Sequence, residues 1–471
     1  MAHELITIGI KVVNSMRRRE YLAASGGTLL ATAGCVQLQH VRSALGVDRL
    51  DPQAGTDETV TLQGTGGDGT WPQVAHDARN SRYAPGATPP QEDATVAWKA
   101  FIGRWTYEPI VNDDVYVAER GTDSTVLSFD SNDGSERWES QTVPNLRRPP
   151  AMDDDVFVVT RTDDSGYSLR RLTAKNGEEQ WTREEDVTAS GRGNVAGPTV
   201  DDRNIYIPSN TGVNVFDKAG NHVWSTTLDE RIRDGRVTNW VKPAVTDTHV
   251  YTFDRRFDDG DGDLPIYALE KKTGERVWTT EIEFPRSWHP QRSWRVHSPY
   301  VVAGRDHVFV ATRESQQTLG HADPPTTPAR LYALDAESGE IAWLWELEGS
   351  LAPPAYAEGY LFVAAWDYDA ERATLHALDV KEEVIAWTYE TDVGEIGAPA
   401  ITPETVYFRQ GYELAALAVA DGSPSWRLAL DDQSYNVMKV GDPVVTTETV
   451  YQKFDYVTSE GDETSVWAVR D

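Results

Sequence analysis

Short runs such as DVYVAE, DVFVVT, HVYTFD and TVYFRQ place apolar residues at alternate positions. That spacing puts one face of a β-strand on a core, and the β-branched and aromatic residues in it suit a pleated strand better than a helix. A second kind of run closes each unit. SFDSNDGSERW, RLTAKNGEEQW, VFDKAGNHVW, ALEKKTGERVW, ALDAESGEIAW, ALDVKEEVIAW and ALAVADGSPSW end at Trp138, Trp181, Trp224, Trp278, Trp343, Trp387 and Trp426. Each reads as a strand, a tight turn and a strand ending on Trp. In ALDAESGEIAW the Asp can bond the turn backbone, and Gly339 can take the positive φ of the turn. A third signal opens each unit: Pro followed by small or β-branched residues, as in EPIV, PPAM, GPTV, KPAV, SPYV, PPAY, APAI and DPVV.

The terminal Trp residues set the period. Starting from Trp98 in VAWKA, the spacings are 40, 43, 43, 54, 65, 44 and 39 residues. A repeat of this length with four short antiparallel strands is a propeller blade. Seven units run from Pro109 to Trp426, and an eighth begins at Pro443 without a Trp strand. VAWKA is a Trp strand with no unit before it. The expectation is an all-β, eight-bladed propeller closed by the N-terminal strand, with each Trp phrase acting as a clasp between blades. Closure removes the exposed edges of an open sheet.

Antiparallel order also assigns faces. With strands A to D running from axis to rim, the A-to-B and C-to-D turns share one face, and the B-to-C and D-to-A links share the other. The clasp phrases occupy the first face. The second carries the long insertions, 258–264 and 314–329, and the D-to-A links RWTYEP, NLRRPP, SGRGNVAGP, RDGRVTNWVKP and FPRSWHPQRSWRVHSP. These links supply a candidate binding crescent over blades 1 to 5: Arg104, Trp105, Arg147, Arg148, Arg192, Arg236, Asn239, Trp240, Trp288, His289, Arg292, Trp294, Arg295 and His297. Arginine and tryptophan favour interfaces, and the alternative reading makes them struts between blades. The links EGSLAPP and VGEIGAP, to blades 6 and 7, lack this composition. Asp259, Asp261 and Asp263 alternate as calcium ligands do, but Leu264 stands where a calcium loop has Gly, so an acidic hairpin tip is the preferred reading and no metal is expected.

Charge and the N-terminus add an address. The net charge is -31, and only ten of the 44 basic residues are lysine. Acid excess with scarce lysine suits a halophilic surface in very high salt and argues against nucleic-acid binding. Arg17, Arg18 and Arg19 precede a mild apolar run, in the manner of a twin-arginine (Tat) export signal, and TAGC ends at Cys35, the single cysteine. That pattern expects a secreted lipoprotein, lipidated at Cys35 and held on the outer side of the cytoplasmic membrane. Residues 1–35 read as export signal, 36–70 as a flexible tether and 71–471 as the propeller. GTGGDG, from Gly64 to Gly69, lacks a preceding strand and reads as linker rather than a dinucleotide loop.

The Trp phrases, together with WPQVAHDARNSRYAPGATPP (71–90), resemble the PQQ-like repeat of quinoprotein dehydrogenases and of their non-enzymatic relatives, the BamB-like propeller lipoproteins. The resemblance implies either a binding scaffold without cofactor or a dehydrogenase of alcohols or sugars holding pyrroloquinoline quinone (PQQ) and calcium. The adjacent cysteines found in many such enzymes and the CxxCH of a haem are absent from the sequence. No catalytic residue is carried over, and the scaffold is preferred. Its expected partner is an extracytoplasmic protein, a peptide or an anionic ligand.

Overall fold

The computed structural model describes residues 41–42, 48–50, 52, 59–64, 67, 69–146, 148–161, 167–184, 197–208, 212–228, 242–253, 264–283, 299–312, 328–347, 349–367, 371–393, 395–429, 436–457 and 461–471. All of them belong to one compact unit, His40–Asp471. They form eight antiparallel blades and no helix. Blade 1 is typical: A is Ile110–Val111, B Asp114–Ala118, C Val126–Asp130 and D Glu136–Glu139. The innermost strands are short; the next two are the most buried.

Blade 8 takes Val450–Val457 and Asp462–Arg470 as its B and C strands, and its outer strand is Thr95–Ile102. The ladder runs from Thr95↔Arg470 to Ile102↔Thr464. The first strand of the ring therefore completes the last blade, as the unpaired VAWKA implied.

The clasp has a definite geometry. In every blade an aromatic on strand B packs on the Trp of strand D, with ring centroids from 5.8 Å for Trp98–Tyr451 to 6.5 Å for Trp224–Tyr206. The Trp then docks on the C-to-D turn of the next blade. Its Nε1 donates to the carbonyl one residue past the turn's first position: Trp98 to Ser131 (3.0 Å), Trp138 to Ala174 (3.0 Å), Trp224 to Lys271 (2.9 Å), Trp278 to Ala336 (3.1 Å) and Trp387 to Val419 (2.7 Å). Gly339 shows why glycine is needed here. Its φ is +74°, and a Cβ would stand 2.5 Å from Cδ2 of Trp278.

Three clasps depart from this rule: Trp426 donates to the Pro90 carbonyl at 2.9 Å, because blade 8 has no C-to-D turn, and the other two departures are written in the phrase. The blade 3 turn is one residue shorter, and its Lys218 carbonyl accepts from Arg171 at 3.0 Å. Blade 6 has Glu383, at φ +57°, where the others have glycine. The Trp residues that dock there, Trp181 and Trp343, are the ones whose Nε1 finds no hydrogen-bond partner.

The stretch read as a flexible tether is corrected where it is described. Asp48–Leu50 adds a parallel strand to the outer edge of blade 5, and Val41–Arg42 pairs back on it. Leu50, Val60 and Leu62 are buried, and Val60 donates its amide to Ala420 at 3.0 Å. The amides of Gln63 and Gly64 are held by the Glu358 carboxylate at 2.6 and 3.3 Å. Polar composition read as looseness, but three apolar side chains and one carboxylate pin the segment to the ring.

Candidate functional site

The segment after Gly69 makes a circuit of the innermost strands. The Gly69 carbonyl accepts from Thr447 of blade 8, and Trp71 exchanges backbone bonds with Val111 of blade 1. Pro72 then accepts from Met152 of blade 2, and the Gln73 side chain exchanges two bonds with Val200 of blade 3. The carbonyls of Ala78, Arg79, Ser81 and Arg82 accept from Val245, Ala303, Tyr356 and Ile401 of blades 4 to 7. Thr88 returns to Thr447. These contacts fall beside the A-to-B turns, so the circuit closes the axis from the clasp face. Such a tight path needs left-handed backbone, and Ala75, His76, Asn80 and Arg82 have φ between +55° and +74°. Asp77 braces the bend by accepting from the amide and hydroxyl of Ser81 at 2.9 and 2.8 Å.

Polar side chains gather against this plug. Arg82 is buried and donates to Asp442 at 3.1 Å, while its Nε and the Asn80 Oδ1 have no hydrogen-bond partner. Lys242 reaches Gln73 Oε1 at 3.0 Å and the Val74 carbonyl at 2.8 Å. Burial brings its amine down to about 7; Asp77 opposes the shift and Arg82 adds to it.

A second polar group lies at the loop-rich end of blades 7, 8 and 1. Lys453, on strand B of blade 8, donates to the Thr106 carbonyl and to Asp455, both at 2.9 Å. Thr464 donates to the other Asp455 oxygen at 2.8 Å. Burial acts to raise the Glu108 carboxyl, but Lys453 and Lys439 outweigh it and hold the group near 2. Arg120 lies 5.2 Å over the Tyr107 ring, and Arg409 pairs with Glu395 at 2.8 Å.

Of the crescent predicted from sequence, Arg104, Trp105 and Arg148 are described. Arg104 is half exposed, bonds the Asp123 carbonyl and stands 3.9 Å from Glu119. Trp105 donates across to the Tyr456 carbonyl at 3.3 Å, and Arg148 is buried close to Tyr107. Arg147, Arg192, Arg236, Asn239, Trp240, Trp288, His289, Arg292, Trp294, Arg295 and His297 lie outside the described residues, as do Cys35, Asp259, Asp261 and Asp263. Arg409, Lys439 and Lys453 extend the cationic residues beyond blades 1 to 5. Arg409 and Lys453 were missed because they sit on B strands, and Lys439 because the link to blade 8 was not among those that carried the reading. The signal was present in VYQKFDYV, where Lys453 and Asp455 occupy alternate positions of an otherwise apolar strand.

The same face holds a cleft of about 290 Å³ between blades 5 and 6, lined by Glu346, Asp367, Arg372, Thr374, His376 and Glu390 over Trp345. Burial holds the His376 imidazole down to about 4, so it is neutral near pH 7. Among the described residues no group of three or more His, Cys, Asp or Glu is placed to hold a metal ion.

The eight blades, the Trp clasps and the lead-in circuit define a PQQ-like β-propeller. A family model described as "Outer membrane protein assembly factor BamB" matches residues 66–258 and 260–457, and the chain belongs to that family. No curated protein matches it. Among solved structures it is similar to the quinohemoprotein alcohol dehydrogenase ADHIIG of Pseudomonas putida HK5, at 14% identity and TM-score 0.54, over 85% of this chain and 80% of that one. It is also similar to a europium-containing methanol dehydrogenase, at 13% identity and TM-score 0.55, over 85% and 98%. BamB of Moraxella catarrhalis matches at 17% identity and TM-score 0.42, over 76% and 82%. At these identities the likeness is one of fold.

Proposed function

We propose that the chain is a binding propeller, exported through its twin-arginine signal and lipid-anchored at Cys35, that captures an extracytoplasmic protein, peptide or anionic ligand at its loop-rich mouth. The observation that carries this reading is that Arg104, Arg120 and Lys439 keep exposed side chains at that mouth in a chain of net charge -31. A cationic mouth on an acidic body steers anionic surfaces to one place. The BamB description of the family supports a protein partner.

The test compares wild-type protein with an Arg120→Ser/Lys439→Ser variant, each immobilised and exposed to solubilised native membranes. The expected result is a partner held by the wild type and lost by the variant, with an unchanged melt. Equal capture by both removes the mouth as the site. Stoichiometric retention of added quinone and calcium, with dye-linked alcohol oxidation, replaces the scaffold by a dehydrogenase. The anchor is tested separately: Cys35→Ala should release the exported protein into the medium, and retention on salt-washed membranes overturns the lipid assignment.

A further inference from the structure

Among the described residues, blade 5 alone has its outer strand paired. That strand, Ile341–Leu347, offers seven residues, and the added segment uses two of them, in the register Arg49↔Leu344 and Leu50↔Trp345. Side chains complete the fit. The Arg49 guanidinium pairs with Glu346, whose other oxygen accepts from Arg330 at 3.2 Å. Leu50 is 3% exposed, in the cluster that contains Trp343, Trp345 and Leu347. The chain's own segment thus shows what the edge recognises: an extended backbone in parallel register, a cation for Glu346, and a bulky apolar residue directly after it.

We propose that the outer edge of blade 5 is a strand-docking site for an extended segment of a partner protein carrying a basic residue followed by a bulky apolar one, and that residues 48–50 hold the site as a removable placeholder. Edge strands present unpaired backbone groups that an added strand satisfies, while alternate side chains supply specificity. Among the described residues the placeholder covers the edge at two positions. A longer strand gains further backbone pairs along Ile341–Leu347, while the placeholder relies on its covalent tether for a high local concentration. This surface lies at the rim and stands apart from the mouth.

The experiment uses the full chain. Arg49→Glu/Leu50→Asp should release the placeholder, and a labelled peptide spanning residues 45–52, LGVDRLDP, should then bind at least about tenfold more tightly than it binds wild type, where it competes with the tethered copy. Adding Glu346→Lys should abolish that binding and restore it for a peptide with Glu in place of the arginine. A folded released variant that does not bind the peptide, or that binds equally one with both key residues replaced by serine, overturns the proposal. If the released variant does not fold, wild type is titrated to millimolar peptide carrying a photo-crosslinker at the leucine position. Cross-links confined to the 341–347 strand support the site, and cross-links scattered over the surface overturn it.

Discussion

The rim and the axis of this ring are held together by opposite means. At the rim, one short phrase recurs, and each Trp meets the turn of the next blade by nearly the same geometry. At the axis, a single segment of about twenty residues (69–88) touches all eight blades, mostly through its own backbone carbonyls, and meets each blade at only a few positions. Repetition makes the rim tolerant: the unbonded Trp181 and Trp343 each leave one clasp weakened and the others unaffected. The axis has no spare copy. A change in the circuit alters a position on which several blades converge.

The harshest test of the rim is to remove one of its members. Deleting Thr95 to Ala100 takes away the outer strand of blade 8 and with it Trp98, a side chain whose truncation alone costs about 3–5 kcal/mol. The expected outcome is loss of a cooperative denaturant transition. A midpoint like that of wild type would sink the ring-closing role. At the axis, Arg82→Ala removes the ion-pair partner of Asp442 and leaves it the Ala398 amide at 3.0 Å. The cost should be about 2–3 kcal/mol, below that of a fully buried pair because Asp442 keeps 29% of its side chain exposed. A change within error would make the circuit as tolerant as the rim.

Smaller effects separate clasps from one another. Gly339→Ala places a methyl on Trp278 at positive φ and should cost about 1–3 kcal/mol. Glu383→Gly should act in the opposite direction, gaining up to about 1 kcal/mol by relieving the left-handed backbone. If both substitutions destabilise equally, the phrase does not set the turn. The last test uses pH. His376 has its folded pKa depressed, from 6.5 to about 4, so its contribution is complete above 6.5 and is lost as pH falls toward 4. Melts of wild type and His376→Gln from pH 8 to 4 should converge as acid is added; parallel curves would remove the imidazole from the acid limb.

The rim was legible in the sequence because its physics is local. A turn that needs positive φ selects Gly, a clasp selects Trp, and both recur at a countable period. Even the missing Trp of the eighth unit pointed to VAWKA. The axis was not legible, because the circuit bonds mostly through backbone carbonyls, which leave no residue code, and because Arg82, Asp442 and Lys242 meet only once the ring has closed. The mouth was half legible. Arg104, Trp105 and Arg148 came from link composition, whereas Lys453 and Asp455 were hidden inside an apolar strand. The edge pairing of Arg49 and Leu50 escaped notice because a three-residue strand in a polar stretch carries no periodicity.

The circuit also dictates a timetable for synthesis. Residues 69–102 leave the ribosome early, yet Thr88 waits for Thr447, Arg82 for Asp442 and Thr95 for Arg470, partners 359, 360 and 375 residues downstream. Chains are made at about 5–20 residues per second, so these early residues wait for some tens of seconds. During that interval Trp98 lacks Tyr451 and the 462–470 strand that it pairs with, and blades 1 to 7 accumulate as an open arc whose last blade is missing. Such long-range closure slows folding and leaves apolar surface exposed until the ring is complete. A chain of this topology would profit from a holding factor that binds the region around 71–102 until the last blade is complete.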